Sequence, residues 1–128
     1  MFWRNHWKSV VWALLIFTLS VMPADRVPRV GFLKIPHADK LVHCFLYFVF
    51  GTLLISGFNR LKVQRGVTNL ALLWAAAISI PYGMGMELIQ HFFTSRSASW
   101  FDVVANIMGF LVAALLYRII NRSTKGYI

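Results

Sequence analysis

The chain has 128 residues, of which 59% are hydrophobic and 13% are charged, and its mean hydropathy is +0.65. Soluble globular domains average about half apolar and about a quarter charged residues. The apolar residues fall in four long blocks, and a water-soluble domain of this length has too small a core to bury them. The composition therefore excludes a soluble enzyme, a disordered chain and a small secreted scaffold, and it predicts an integral membrane protein.

The charge balance agrees with this interpretation. Thirteen Lys and Arg against four Asp and Glu give a net charge of +9, which in a soluble protein would suggest a nucleic-acid partner. Here the basic residues flank apolar blocks, where they contact anionic headgroups and set topology. No basic stripe with interleaved aromatic residues is present, so we expect no nucleic-acid binding. The single Cys44 excludes an internal disulfide and a Cys-based zinc site.

The four apolar blocks predict an all-α membrane-spanning four-helix bundle that forms one domain over residues 1–128. The predicted helices cover about residues 9–24, 41–59, 66–92 and 98–117. Because Arg4 and Lys8 precede the first block, a signal peptide is the alternative interpretation of that segment. Its exit, residues 20–24, lacks a clean small-x-small cleavage site, so we favour a retained helix.

Basic residues also predict the orientation. Eight Lys and Arg lie at the two ends and in the second connection, whereas five lie in the first and third connections. The eight are Arg4, Lys8, Arg60, Lys62, Arg65, Arg118, Arg122 and Lys125, and the five are Arg26, Arg29, Lys34, Lys40 and Arg96. Because positive charge is retained on the cytoplasmic side, we expect both termini to be cytoplasmic.

Polar residues recur on one face of each of the last three predicted helices, at spacings of three, four or seven residues. The three stripes are Lys40, His43 and Tyr47, then Glu87, Gln90 and His91, and finally Asp102, Asn106 and Gly109. At the helical rise, Gly66 to Glu87 spans about 31 Å, and Asp102 lies about 24 Å above Arg118. All three stripes are therefore expected to meet at the outer leaflet.

Ionisable groups inside a membrane span are costly, and they are usually paired or functional. In the ordinary interpretation, Glu87 and Asp102 pair with Lys40 and Arg96 and so hold the bundle together. The whole polar set favours a functional site. Pro81 removes a backbone hydrogen bond, so the third helix is expected to kink or unwind there. This change either aims Glu87 and Gln90 inward or allows close helix approach at the glycines that follow.

Metal binding has weaker support from the sequence. His37 and Asp39 would supply further oxygen and nitrogen ligands beside the stripes. However, none of these residues has a spacing that is diagnostic of a metal site, so no metal ligand is assigned and the cofactor is left undetermined.

The same residues fall into recognisable motifs. Residues 39–47, Asp-Lys-Leu-Val-His-Cys-Phe-Leu-Tyr, followed by Gly51, resemble the first motif of the VanZ-like family. Three later segments resemble the second and third motifs of the family: Glu87-x-x-Gln90, Ser95-Arg96-x-x-Ser99 and Asp102-x-x-x-Asn106-x-x-Gly109. Together the motifs cover about residues 37–117. One departure is that family members often carry Pro-Gly before the motif arginine, where this chain has Phe93-Thr94-Ser95.

The resemblance implies a small multi-pass protein of the bacterial cytoplasmic (inner) membrane, from a family associated with reduced susceptibility to teicoplanin. It also implies a distant similarity to membrane-embedded enzymes that exchange phospholipid head groups. A membrane lipid or a lipid-linked envelope precursor is the partner that this similarity suggests.

The leading functional prediction is an enzyme that acts on a lipid head group or lipid-linked phosphate at the outer leaflet. The predicted catalytic residues are His43, Glu87 and Asp102, and the predicted substrate-binding residues are Lys40, Gln90, Arg96, Ser99 and Asn106. Histidine serves as a general acid or base or as a nucleophile, and Arg and Lys bind phosphate.

Two alternatives come from other functional classes. In the first, the same residues bind a lipid-linked precursor or an envelope-assembly partner without chemistry, and so alter glycopeptide susceptibility. The second is a small transporter, which ranks last because the polar residues cluster at one end instead of lining a path.

Overall fold

The computed structural model describes residues 2–26, 31, 37–61 and 69–123. It contains four long helices, α1 (Phe2–Val21), α2 (Ala38–Arg60), α3 (Asn69–Phe93) and α4 (Trp100–Ser123), and a short 3-10 helix (Ala24–Arg26). No strand occurs in this part of the chain, so the predicted all-α four-helix class is confirmed. Some predicted positions lie outside the described residues. They are the start of the third helix at residue 66 and the basic residues Arg29, Lys34, Lys62, Arg65 and Lys125.

The ends of the helices differ from the predicted boundaries in ways that local chemistry explains. α1 starts at Phe2 instead of residue 9, because charged residues such as Arg4 and Lys8 are good helix formers although they break an apolar block. It ends at Val21, just before Pro23, since the residue that precedes a proline disfavours helical geometry. α4 likewise continues beyond residue 117, where charged residues interrupt the apolar pattern but leave helix propensity intact.

Three of the four helices, α2, α3 and α4, are long and apolar enough to cross a membrane. α1 does not meet this criterion, and its first two turns carry the polar residues Arg4, Asn5, His6 and Lys8. The outer faces of the helices expose large apolar side chains, which in a bilayer contact lipid. The protein is therefore a multi-pass membrane protein, whereas the cytoplasmic position of its termini remains a prediction.

Helix direction determines which residues meet. α2 and α4 run parallel, because Lys40 contacts Asp102 near their starts and Gly51 faces Phe110 further along. α3 runs antiparallel to both, and α1 contacts α2 and α3. Within the described residues no Cα atom of α1 lies within 8 Å of one in α4, so these two helices are not packed closely against each other. The end of the bundle where α1 and α3 finish and α2 and α4 begin is called here the site end.

Helices α2 and α4 form the closest interface. A Cβ atom added at Gly109 would collide with the carbonyl oxygen of Cys44 and lie 2.9 Å from the backbone nitrogen of Phe48. One added at Gly51 would lie 2.9 Å from a ring carbon of Phe110. Small residues allow such backbone approach between helices in membranes. Gly109 therefore permits the close packing of α2 against α4, and this contact sets the register between the two polar stripes.

Hydrogen bonds fix α1 and α3 within the bundle. The indole Nε1 of Trp12 donates to the Leu46 carbonyl at 2.9 Å, and the Tyr82 hydroxyl donates to the Ala13 carbonyl at 2.6 Å. Polar contacts of this kind between helices contribute about 0.6 to 2 kcal/mol each in a membrane. α3 is continuous through Pro81, so it does not unwind there as one of the sequence interpretations allowed.

Candidate functional site

The centre of the site is His43, which three helices surround. Its Nδ1 lies 3.0 Å from Oδ1 of Asn106 on α4 and 3.3 Å from Oε1 of Glu87 on α3. Both neighbours are oxygen acceptors, and the tautomer that fits them is the one with its hydrogen on Nδ1. In the neutral imidazole the other nitrogen, Nε2, is then the proton acceptor. The His43 side chain is only 13% exposed and that of Glu87 only 6%.

A second pair lies one helical turn closer to the site end. The Lys40 ammonium is 3.4 Å from Oδ1 of Asp102 and 3.1 Å from Oδ2 of Asp39. Asp102 is buried, and a buried carboxylate without a partner destabilises a fold strongly. Thus Asp102 pairs with Lys40, as expected if these charges only hold the bundle together, whereas Glu87 pairs with His43. The term polar cluster refers below to Lys40, His43, Glu87, Asp102 and Asn106.

Three buried polar atoms at the cluster have no hydrogen-bond partner within the described residues: the Tyr47 hydroxyl, Oε2 of Glu87 and Nδ2 of Asn106. Buried polar atoms are normally hydrogen-bonded, so these atoms are candidates for bonding a polar group of a ligand. Gly83 brings α3 close to two of these residues, because a Cβ there would lie 3.1 Å from the Tyr47 ring and 3.3 Å from Asn106 Nδ2. Tyr47 belonged to the predicted stripe but was not assigned a binding or catalytic role. Its position seven residues after Lys40, on the same helix face, was the sequence feature that could have included it in the site.

Two predicted substrate-binding residues make structural bonds outside the polar cluster. Arg96 donates from Nη1 to the carbonyl of Leu19 at 3.2 Å, in the last turn of α1, where the helix dipole favours a cation. The hydroxyl of Ser99 accepts from the Phe101 backbone N–H at 3.2 Å and so caps the start of α4. Their contact with a substrate remains a prediction.

The remaining predicted residues lie on α3 and at the start of α2. Gln90 is buried one turn beyond Glu87, and its carbonyl accepts the Thr94 hydroxyl at 2.6 Å where the helix ends. His91 is exposed and its ring contacts Phe92, so it is not a member of the polar cluster. His37 precedes α2 in the left-handed region, with φ at 64°. Among the described side chains, no three His, Cys, Asp or Glu residues are grouped to hold a metal ion.

Comparisons with known proteins agree with the sequence motifs. The model of the VanZ/LLP1 family matches residues 1–121. A relative from Schizosaccharomyces pombe, described as "Uncharacterized protein C11E3.10", is 33% identical over 103 residues, which is 80% of this chain and 60% of the relative. The chain therefore spans about 60% of that protein's length.

No solved structure matches the chain. The relative is a yeast protein, so this match gives no support to the predicted bacterial source. The family match extends beyond the motifs to α1 and to residues 118–121 of α4. The chain belongs to the VanZ/LLP1 family.

Proposed function

We propose that this protein transfers or hydrolyses the phosphate-linked head group of a membrane lipid or of a lipid-linked precursor. The observation that carries the proposal is the Nδ1 atom of His43, which lies between the oxygens of Glu87 and Asn106 inside a membrane-spanning bundle. A histidine oriented by a carboxylate is the usual arrangement of a general base.

The chemical step follows from this orientation. His43 Nε2 takes the proton from a substrate hydroxyl or a water molecule while that oxygen attacks the phosphorus atom. The P–O bond to the leaving alcohol then breaks, and the same nitrogen returns its proton to the leaving oxygen. The carboxylate of Glu87 stabilises the transient imidazolium, and general acid–base catalysis of this kind contributes about 10²- to 10⁴-fold in rate.

Cationic groups of the site would neutralise the phosphate. Lys40 carries three N–H donors, and its side chain is 29% exposed although two carboxylates already contact it. Arg96 has five donors, of which the hydrogen bond to Leu19 uses one. We assign Asn106 Nδ2, Gln90 and Ser99 to hydrogen bonds with the head group.

The depth of the cluster supports an amphiphilic substrate. Lys40 and Asp102 lie in the first turns of α2 and α4, and Glu87 lies within the last two turns of α3. These positions correspond to the headgroup region at one membrane surface. With the orientation predicted from the positive-inside rule, that surface is the outer leaflet, and the membrane is proposed to be the cytoplasmic membrane of a bacterium.

A second candidate function, lipid or precursor binding without chemistry, is favoured by a specific observation. Lys40 and Arg96, the two cations of the site, already have partners within the protein. A binding protein would use the polar cluster to recognise a lipid-linked precursor or an envelope-assembly partner, and it would alter glycopeptide access by occupancy alone.

Lipid analysis of cells separates the two functions. Lipids from cells without the protein are compared with those from cells producing the wild type, Glu87→Gln, His43→Gln or Asp25→Asn. Asp25 is the matched control, because it is an exposed carboxylate in the 3-10 helix and does not belong to the polar cluster. We expect the wild type and Asp25→Asn to change one head-group species, and the other two variants to leave it unchanged. Size-exclusion chromatography confirms that each variant is folded.

Identical lipid profiles with and without the wild-type protein would contradict the enzyme and favour the binding function. The enzyme is also contradicted if folded Glu87→Gln and His43→Gln both produce the wild-type profile.

A further inference from the structure

A cavity of about 500 Å³ opens between the end of α3 and the start of α4. Its apolar lining includes Met84, Leu88, Trp100 and Val103, and Glu87 and His91 are among its polar lining residues. The volume falls within the ~300–1,000 Å³ of most ligand pockets. The name acyl groove is used for this cavity below.

The acyl groove faces the membrane. Leu88 and Trp100 are 59% and 79% exposed, and they lie on two helices that are apolar enough to span a bilayer. Phe92, Phe93 and Phe101 add exposed aromatic rings beside the groove at the site end. Exposed aromatic side chains are enriched where a membrane meets water. In a bilayer this opening would therefore lie where the hydrocarbon chains meet the headgroups, and the lining of the groove continues the lipid-facing surface.

The acyl groove also reaches the polar cluster. Glu87 is part of its lining, and the Oε1 atom of the same residue lies 3.3 Å from His43 Nδ1. One residue thus joins an apolar surface to the group that we propose as the general base. This arrangement matches the two halves of a phospholipid, an apolar chain next to a phosphate head.

We infer that the acyl groove binds one acyl chain of the lipid whose head group lies at the polar cluster. This inference rests on the proposed function and specifies its substrate as a long-chain lipid that enters sideways between α3 and α4. The chain packs along Leu88 and Val103, and the head group lies beside His43.

Photolabelling tests the occupant of the groove. The probe is a phosphatidylglycerol that carries a diazirine on one acyl chain, added at trace concentration to the purified full-length protein in detergent. Leu88→Trp and Val103→Trp fill the groove, with Leu88→Phe used where tryptophan prevents folding. Val104→Trp is the matched control, because Val104 is an exposed neighbour on α4 that does not line the cavity. Labelled peptides are identified by mass spectrometry.

We expect labelling to be concentrated on residues 84–103 of the wild type and of Val104→Trp. In the filled variants it should fall about tenfold, as expected when about two methylene groups are displaced from an apolar site. Equal labelling of the groove peptides and of the exposed face of α1 would overturn the inference. Undiminished labelling in the filled variants, or cross-linking of a second copy of the chain at this face, would overturn it as well.

The labelling result is independent of turnover, so the two proposals fail separately. Glu87→Gln is expected to abolish the lipid change in cells and to retain groove labelling within about twofold, since the apolar lining supplies most of the binding. Groove labelling without any lipid change would contradict the proposed function alone. A normal lipid change in the filled variants would contradict the acyl groove alone.

Discussion

Substitution of Gly109 by alanine tests whether the close α2–α4 contact holds the polar cluster together. The added methyl group would collide with the Cys44 carbonyl and lie 2.9 Å from the Phe48 backbone nitrogen, whereas ordinary contacts begin at 3.4 Å. Both neighbours are backbone atoms, so no side-chain rotation relieves the overlap. The two helices must therefore separate by at least 0.5 Å, the difference between those two distances.

This separation has a predictable effect on stability and on the site. Overpacking costs about 1 to 3 kcal/mol, and rigid backbone neighbours favour the upper end of that range. The higher helix propensity of alanine offsets about 1 kcal/mol, which leaves a net loss of about 2 kcal/mol in the free energy of unfolding. A 0.5 Å movement would lengthen the 3.0 Å His43–Asn106 hydrogen bond by at most the same amount, toward the ~3.5 Å at which such bonds are weak.

The measurement is thermal unfolding of the purified protein in one fixed detergent, followed by loss of the monodisperse peak in size-exclusion chromatography. Gly85→Ala is the matched control, because a Cβ there meets no atom within 4 Å. We expect Gly109→Ala to unfold several degrees below the wild type, and Gly85→Ala to unfold at or above the wild-type temperature. Equal unfolding temperatures for the two variants would refute the assignment of Gly109 as the close contact.

Three further predictions concern single interactions. Lys40→Met should lower the free energy of unfolding by about 3 kcal/mol because it leaves Asp102 buried without a cation, and Lys40→Met with Asp102→Leu should recover most of that loss in the same unfolding assay. Ser99→Ala should destabilise α4 by about 1 kcal/mol, whereas Ser99→Asp should unfold like the wild type; equal loss in both would contradict the capping role. Tyr82→Phe should cost about 1 kcal/mol through its bond to α1, and no change in unfolding temperature would show that this bond adds nothing to stability.

Composition and apolar block length were sufficient to predict the all-α class and the number of helices. The exact ends were less predictable, because apolar blocks mark lipid contact whereas helices end where capping and proline require it. α1 illustrates the difference, since Arg4 and Lys8 continue the helix although they interrupt its apolar pattern. Side chains such as Trp12 and Tyr82, which bond α1 to its neighbours, gave no sequence signal because their partners are backbone carbonyls.

Helix spacing also predicted much of the site's geometry. Lys40 and His43 are three residues apart, Asp102 and Asn106 are four apart, and each spacing is about one helical turn. Two helices that start from the same membrane surface run parallel, so stripes that each step by about one turn meet in the same order. The structure has this order, with Lys40 against Asp102 and His43 against Asn106.

The partner of His43 was the part that spacing left open. The spacing does not distinguish Glu87 from Asp102 as this partner, because both are acids at the same predicted depth. Which of the two acids contacts His43 depends on the rotation of α3 about its own axis. Gly83 allows this rotation, because it lets α3 lie close to Tyr47 and Asn106. Asp102 then forms the ion pair with Lys40, and Glu87 is the carboxylate that contacts the imidazole of His43. Two acids that the sequence does not distinguish thus have separate contacts, and the lipid-profile experiment on Glu87→Gln tests the one that we propose for catalysis.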